Sequence, residues 1–240
     1  MRFLTQTFTL QGWERPSVGK VLQVYIEGDG QAWLTPTRPS DDPTPANPTA
    51  LRMALADPAA GPVLYLGRPC QYVEGADRKG CSTADWTTAR FSSRAVTSLN
   101  QAIDQAKLRL GVVQTALYGY SGGGAMAVLV AARRQDVVFL GTVAGNLDHQ
   151  AWTRIQKLTP LSGSLNAADC ADVVRSIPQV HVQGGKDTVV PAAVQDAYLA
   201  RLGPGAPAKR RVVPECGHAC NWQDYWRSIL QASRPVSAER

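Results

Sequence analysis

Leu117-Tyr118-Gly119-Tyr120-Ser121-Gly122-Gly123-Gly124 closes an apolar run (Val112, Val113, Ala116, Leu117) and opens a run of small residues, Ala125-Met126-Ala127-Val128-Leu129-Val130-Ala131-Ala132. That order predicts a strand, a sharp turn and a helix. Gly-x-Ser-x-Gly sits in the turn as Gly119-Tyr120-Ser121-Gly122-Gly123. A serine held at a strained bend, at positive φ, needs neighbours without Cβ atoms so that strand and helix can approach. The bend lifts its Oγ clear of the sheet, and the helix N-terminus behind it favours developing negative charge. Ser121 is therefore a candidate nucleophile and the Gly122 N–H a candidate oxyanion donor. The competing reading is a glycine-rich turn with a bystander serine.

Working outward, the 240 residues, 44% of them hydrophobic, are enough for one α/β domain with a substantial core. The net charge of +6 comes from scattered residues, with Arg133-Arg134 and Lys209-Arg210-Arg211 the basic runs. Solvated helix and loop ends explain them better than a nucleic-acid stripe, so no nucleic-acid partner is expected. No stretch reaches the roughly 18 uninterrupted apolar residues of a membrane helix. Met1 leads straight into the alternating Arg2-Phe3-Leu4-Thr5-Gln6-Thr7-Phe8, which reads as a strand and not as a signal peptide.

Five cysteines bear on the compartment. Cys70 and Cys81 bracket a short glycine-containing loop, Cys216 and Cys220 flank a histidine, and Cys170 stands upstream. No Cys-x-x-Cys pair occurs and there are three histidines, which disfavours a metal site. Disulfides are expected, Cys70–Cys81 first, with the pairing of the other three left open. They imply an oxidising compartment. The expectation is an exported, periplasmic or cell-envelope protein in its mature form, Met1 standing in place of a removed leader. Free cysteines would point to the cytoplasm instead.

Along the chain, Phe3–Leu10 and Val21–Ile26 read as strands joined by a turn-rich connection, residues 12–19. The second strand ends in Glu27-Gly28-Asp29-Gly30, where glycines leave backbone N–H groups free to face a ligand; Asp29 N–H is the second candidate oxyanion donor, against a plain β-turn. The proline-rich residues 31–47 are expected as an ordered loop over the sheet's carboxyl edge. A short helix follows at 49–56, capped by Asn47 with Pro48 at its first position. Residues 62–66 read as a buried parallel strand. Arg68 at its end could meet a substrate carboxylate, although a structural ion pair is favoured.

Residues 93–110 form a helix with Val96, Leu99, Ile103, Ala106 and Leu110 on its core face, stopped by Gly111. Val137–Val143 is a further buried strand, completing a strand–helix alternation that implies a parallel sheet with covered faces. Residues 147–177 exceed a bare crossover and read as a small excursion over the site. There His149 is taken as a surface residue at a helix start, and Asp148 as the reserve acid. Gln179–Gln183 is a strand with His181 packed beside the sheet, and it ends in Gly184-Gly185-Lys186-Asp187. An aspartate in such a turn can aim its carboxylate at an imidazole. A helix near 194–202 and a last strand at 211–214 precede Glu215-Cys216-Gly217-His218-Ala219-Cys220. The closing helix carries Trp222, Tyr225, Trp226, Ile229 and Leu230 on a core-packing face.

Ser121, Asp187 and His218 thus each follow a predicted strand, which places all three on one edge of a parallel sheet. With Tyr25-Ile26-Glu27-Gly28-Asp29-Gly30, Arg68-Pro69-Cys70-Gln71-Tyr72 and Ala144-Gly145-Asn146-Leu147-Asp148-His149, the chain resembles the α/β-hydrolase superfamily over about Val21–Leu230. Within it, the chain is similar to small exported bacterial serine hydrolases of esterase type. At residues 27–30 such hydrolases carry a His-Gly-Gly-Gly-like oxyanion loop; here Glu27 replaces the histidine and the match rests on position and glycine spacing.

The resemblance implies an α/β-hydrolase fold, a mostly parallel central sheet with helices on both faces. The sheet is of the eight-stranded type, here expected to lack its first strands. Residues 1–240 would form one domain, with 147–177 a cap-like excursion and 234–240 a frayed tail. The implied catalytic residues are Ser121, Asp187 and His218, with oxyanion donors Asp29 and Gly122, and Arg68 and Tyr120 as substrate contacts. No cofactor or metal is implied. Carboxylic-ester hydrolysis of a small molecule is the leading activity, a peptidase or thioesterase the alternative. A non-catalytic envelope-binding module on the same scaffold is a third reading. Oligomeric state stays open.

Overall fold

A computed structural model of the chain describes residues 1–59 and 61–234. Its centre is an eight-stranded sheet built from β1 (Arg2–Leu4), β2 (Thr9–Arg15), β3 (Val21–Ile26), β6 (Val63–Leu66), β7 (Gln114–Tyr120), β8 (Val137–Val143), β9 (Gln179–Gly184) and β10 (Ala208–Val213). The order across the sheet is β1-β2-β6-β3-β7-β8-β9-β10. The pairs β1/β2 and β2/β6 are antiparallel, and all pairs from β6 to β10 are parallel. Two short strands, β4 (Trp33–Thr35) and β5 (Arg38–Pro39), form a separate hairpin within the proline-rich segment expected as a loop.

Residues of β3, β6 and β9 are buried throughout; β3 and β6 read as apolar-rich runs, whereas β9 alternates valine with polar residues. One face is covered by α2 (Ser93–Leu110), α3 (Gly122–Ala131) and α6 (Ala192–Leu202), through Val96, Leu99, Ile103, Met126, Leu129 and Tyr198 packed on Leu22, Val24, Leu117 and Leu140. The other is covered by α1 (Thr49–Leu55) and α7 (Trp222–Ser233), through Met53, Trp222, Trp226 and Leu230 against Tyr25, Tyr65, Tyr118 and Val180. The alternation in β9 follows: Val180 and Val182 face α7, while His181 faces Tyr198 and is bonded to Thr142 Oγ1 and Gln179 Oε1. Two shorter helices, α4 (His149–Gln156) and α5 (Ala171–Val174), lie in the excursion after β8.

Four sequence expectations need correction. The chain turns at Thr5–Phe8, and the strand after it takes in Gly12 and Trp13, which the sequence pattern places in a connection. Gly12 is needed there because a Cβ would lie 2.7 Å from the Phe3 ring and 2.9 Å from Tyr65 O, and Trp13 packs on Tyr65 and Tyr72. The sheet accordingly lacks no first strands. Helix α1 is capped at Pro48 without a side-chain bond, not at Asn47; the buried Glu27 carboxylate accepts the Ala50 N–H instead. The last strand begins at Ala208, three residues before its expected start, in register with β9.

Of the tail expected from 234 onwards, 235–240 lie outside the described residues. Arg234 is ordered, its side chain 5% exposed and bonded to Asp57 through both guanidinium NH2 groups at 3.0 and 2.7 Å. Its Nε donates to Tyr118 Oη at 2.9 Å, and Tyr25 Oη donates to Asp57 Oδ2 at 2.5 Å. Disulfides join Cys70 to Cys81, as expected, and Cys216 to Cys220, while Cys170 is unpaired. No helix among the described residues is long and apolar enough to cross a membrane.

Candidate active site

Ser121 ends the turn between β7 and α3 at φ 52°, ψ −121°, a conformation that side-chain-bearing residues rarely adopt. The surrounding glycines answer a steric demand. A Cβ on Gly119 would stand 2.0 Å from Gly123 O, and one on Gly123 would stand 2.2 Å from Ile26 O and 2.5 Å from Glu27 O. Strand, turn and helix approach so closely that backbone meets backbone. The bend is further held by Ser121 N donating to Val143 O (2.9 Å) and by Ser121 O accepting from Gly124 N (2.9 Å) and Asn146 N (3.1 Å). Because the obstacle is main chain, Gly123→Ala is expected to cost more than ~3 kcal/mol, at or beyond the upper end of ordinary overpacking. Urea denaturation of the purified variant checks this; an unchanged midpoint would mean that the turn has room to yield.

The three residues expected after strands do meet. His218 Nε2 lies 3.0 Å from Ser121 Oγ, and His218 Nδ1 lies 2.9 Å from Asp187 Oδ2. Asp187 Oδ1 accepts from Val189 N at 3.0 Å and Val190 N at 2.9 Å, so one oxygen holds its own turn and the other faces the ring. A carboxylate can only accept from Nδ1–H, which leaves the Nε2 lone pair directed at the hydroxyl. The His218 loop is closed on itself by Cys216–Cys220, and its carbonyl accepts from Trp222 Nε1 (2.9 Å) and Tyr120 Oη (3.1 Å).

Tyr120, expected to touch substrate, is thus engaged with the histidine loop, its ring 5.4 Å from the imidazole. Burial, with Glu27 and Asp187 nearby, pushes its phenol up and keeps it a donor. Arg68, the other expected contact, is 4% exposed; its guanidinium bonds Asp29 Oδ1 at 3.1 Å and the carbonyl of Arg90. The ion-pair reading of Arg68 fits this geometry and the substrate-carboxylate reading does not.

The Asp29 N–H belongs to the loop after β3 and the Gly122 N–H to the first position of α3, where a helix offers no partner of its own. Their residues touch: a Cβ on Gly122 would stand 2.0 Å from Asp29 Oδ1. Burial would raise the Asp29 carboxyl, but the guanidiniums of Arg90 and Arg68 outweigh it and hold the group below the usual range. Beside it, Glu27 is raised by burial, an effect partly offset by bonds from Gly28 N (2.8 Å), Ala50 N (3.3 Å) and Tyr65 Oη (3.0 Å).

Two reserve candidates fall elsewhere. Asp148 caps α4, accepting from Gln150 N and Ala151 N. His149 does begin that helix but is buried, contrary to the surface placement expected, because the segment after Pro160 folds back over it: Asn166 Oδ1 accepts the His149 N–H and Leu165 N–H donates to Phe91 O. Residues that sequence reasoning missed are Arg90, Glu27 as a helix cap, and Asn146 behind the nucleophile. Only Glu27, standing where a histidine was expected, carried any signal. Among the described residues no three His, Cys, Asp or Glu side chains gather as a metal site.

No family model matches the chain, and the search of curated proteins found no relative. Solved structures do match in fold. An α/β serine hydrolase homologue from Coxiella burnetii superposes with a TM-score of 0.66 at 15% identity, covering 96% of both chains. Est1E from Butyrivibrio proteoclasticus, solved with ferulic acid bound, gives 0.71 at 12% identity over 97% of this chain and 98% of its own. An acylaminoacyl peptidase from Pyrococcus horikoshii gives 0.68 at 13%, with 97% of this chain matching 39% of that one. The chain has the α/β-hydrolase fold: the sheet order and the strand–turn–helix at Ser121 belong to it.

Proposed function

We propose that the protein is a serine hydrolase that cleaves carboxylic esters of small, accessible substrates through an acyl-enzyme. The observation that carries this reading is the unbroken line Ser121 Oγ–His218–Asp187, at 3.0 and 2.9 Å, starting from a backbone strained to present the hydroxyl. A free serine hydroxyl is a weak nucleophile, so His218 Nε2 takes its proton as Oγ bonds to the carbonyl carbon. Asp187 holds the ring in the tautomer this needs and stabilises the imidazolium. The N–H groups of Asp29 and Gly122 receive the oxyanion, each donor worth about 3 kcal/mol in comparable sites. On collapse the C–O bond to the alcohol breaks and His218 returns its proton to the leaving oxygen. Water then repeats the sequence on the acyl-serine, releasing the acid.

Esters are favoured over peptides because the guanidinium that would have read a terminal carboxylate, Arg68, is already paired with Asp29. The two disulfides support an exported setting. A fluorophosphonate probe and a p-nitrophenyl ester series of increasing chain length, set beside peptide and thioester substrates, test the reading. Labelling at Ser121 with fastest turnover of short esters is expected. No labelling at Ser121 would leave the fold as a non-catalytic scaffold, and faster peptide cleavage would replace the esterase with a peptidase.

A further inference from the structure

Asp29 stands in the loop after β3, its carboxylate against Gly122, the residue after Ser121, and held by two arginines. Oδ1 takes Arg68 Nη1 at 3.1 Å and Oδ2 takes Arg90 Nη1 at 2.6 Å. Both guanidiniums are themselves fixed. Arg68 also bonds the Arg90 carbonyl, and Arg90 Nε donates to Thr87 O at 2.6 Å. The turn bearing Arg68 grips the same loop a second time, since Gln71 Oε1 accepts the Arg68 N–H (2.9 Å) and Gln71 Nε2 donates to Gly28 O (3.0 Å). Cys70, inside that turn, is tied to Cys81.

We propose that Arg68 and Arg90 are positioning residues for catalysis, acting through the Asp29 carboxylate to aim the Asp29 N–H at the oxyanion and to cancel a charge that would oppose it. This rests on the reading of the Asp29 N–H as an oxyanion donor. Two physical effects are joined in it. A loop of glycines has little stiffness of its own, and an amide aimed at a developing charge is useful only if it need not reorganise during the reaction. A carboxylate lying against Gly122, unpaired, would set a negative charge beside a transition state that is itself becoming negative. Pairing it with two guanidiniums removes that conflict and turns the side chain into a handle.

The two effects predict an ordering that a merely structural contact would not. Arg90→Gln leaves Asp29 half-paired beside the oxyanion and is expected to lower kcat about 10²-fold, comparable to losing one oxyanion donor. Asp29→Asn loses the handle but also the opposing charge, and is expected to lower kcat only about tenfold. KM should stay within about threefold in both, because the oxyanion exists only in the transition state. The double variant should match Asp29→Asn, recovering much of what Arg90→Gln alone loses, the non-additivity expected of groups in one network.

The measurement is steady-state ester hydrolysis by wild type and the three variants, with inhibition by a trifluoromethyl ketone, which forms an oxyanion on the serine, followed in parallel. Inhibitor affinity should fall in step with kcat. Additive losses, an unchanged kcat in Arg90→Gln, or losses confined to KM would overturn the proposal. If Arg90→Gln does not fold, Arg90→Lys is read instead: a kcat loss of several-fold at constant KM supports the clamp, and wild-type kcat overturns it. Absence of hydrolysis and of fluorophosphonate labelling in the wild type is a different result, the failure of the hydrolase reading itself.

Discussion

Ser121→Ala is expected to lower ester turnover by at least ~10³-fold while the protein stays folded. The variant deletes one atom. Ser121 Oγ has His218 Nε2 as its partner, whereas the bonds that hold the turn run through the main chain, from Ser121 N to Val143 O and from Gly124 N and Asn146 N to Ser121 O. Alanine suffers the same positive φ as serine, so the strain at 52° is carried over unchanged. Without Oγ there is no acyl-enzyme, and what remains is whatever the oxyanion donors and substrate binding do for attack by water. Initial rates on the preferred ester and a thermal melt, measured together, decide the matter. A loss below tenfold with the melt unchanged would reject Ser121 as the nucleophile.

The second large effect concerns stability. Arg234→Ala is expected to destabilise the fold by about 3–5 kcal/mol, because it leaves the Asp57 carboxylate, whose side chain is fully buried, without its counter-charge. For a chain of this size that corresponds to a melting temperature lower by roughly 6–20 °C. The loss extends beyond one ion pair. Arg234 also bonds Tyr118 Oη and Gln23 Oε1, and Tyr25 Oη, which donates to Asp57, accepts from Trp226 Nε1 in α7. Burial and the nearby Asp57 hold the Tyr25 phenol well above its ordinary value, so it stays a donor to the carboxylate. Replacing both members, as Asp57→Leu with Arg234→Met, is expected to cost less than Arg234→Ala, since no charge is then left unpaired. Urea melts of the single and double variants measure the difference; a single variant within 1 kcal/mol of wild type would show that Asp57 finds another partner.

These two results probe opposite ends of what was legible beforehand. The Ser121 turn announces itself because its requirements are local. Small residues must stand where backbone meets backbone, and a strand pattern must give way to a helix within a few positions. Asp187 and His218 were legible for a related reason: each stands just past a strand. Their meeting was legible only on the assumption that those strands run parallel, an assumption the alternation of strands and helices justified. Where the local pattern was ambiguous the reading slipped. Alternation continued through the turn at Thr5–Phe8 and so hid the boundary between β1 and β2. The helix start at Asp148–His149 was right in place yet wrong in exposure, because burial there comes from the 160–166 segment folding back.

By itself the sequence determined the strand–turn–helix at Ser121, the parallel sheet, and the three side chains gathered at its carboxyl edge. All of these are encoded in the spacing and size of neighbouring residues. The tertiary structure alone decided which charges are paired: Arg90 with Asp29, 61 positions apart, and Arg234 with Asp57, 177 apart. A charged residue in a sequence carries no mark of the partner it will have. Only the packing of sheet and helices brings one guanidinium to one carboxylate and excludes the water that would otherwise serve both.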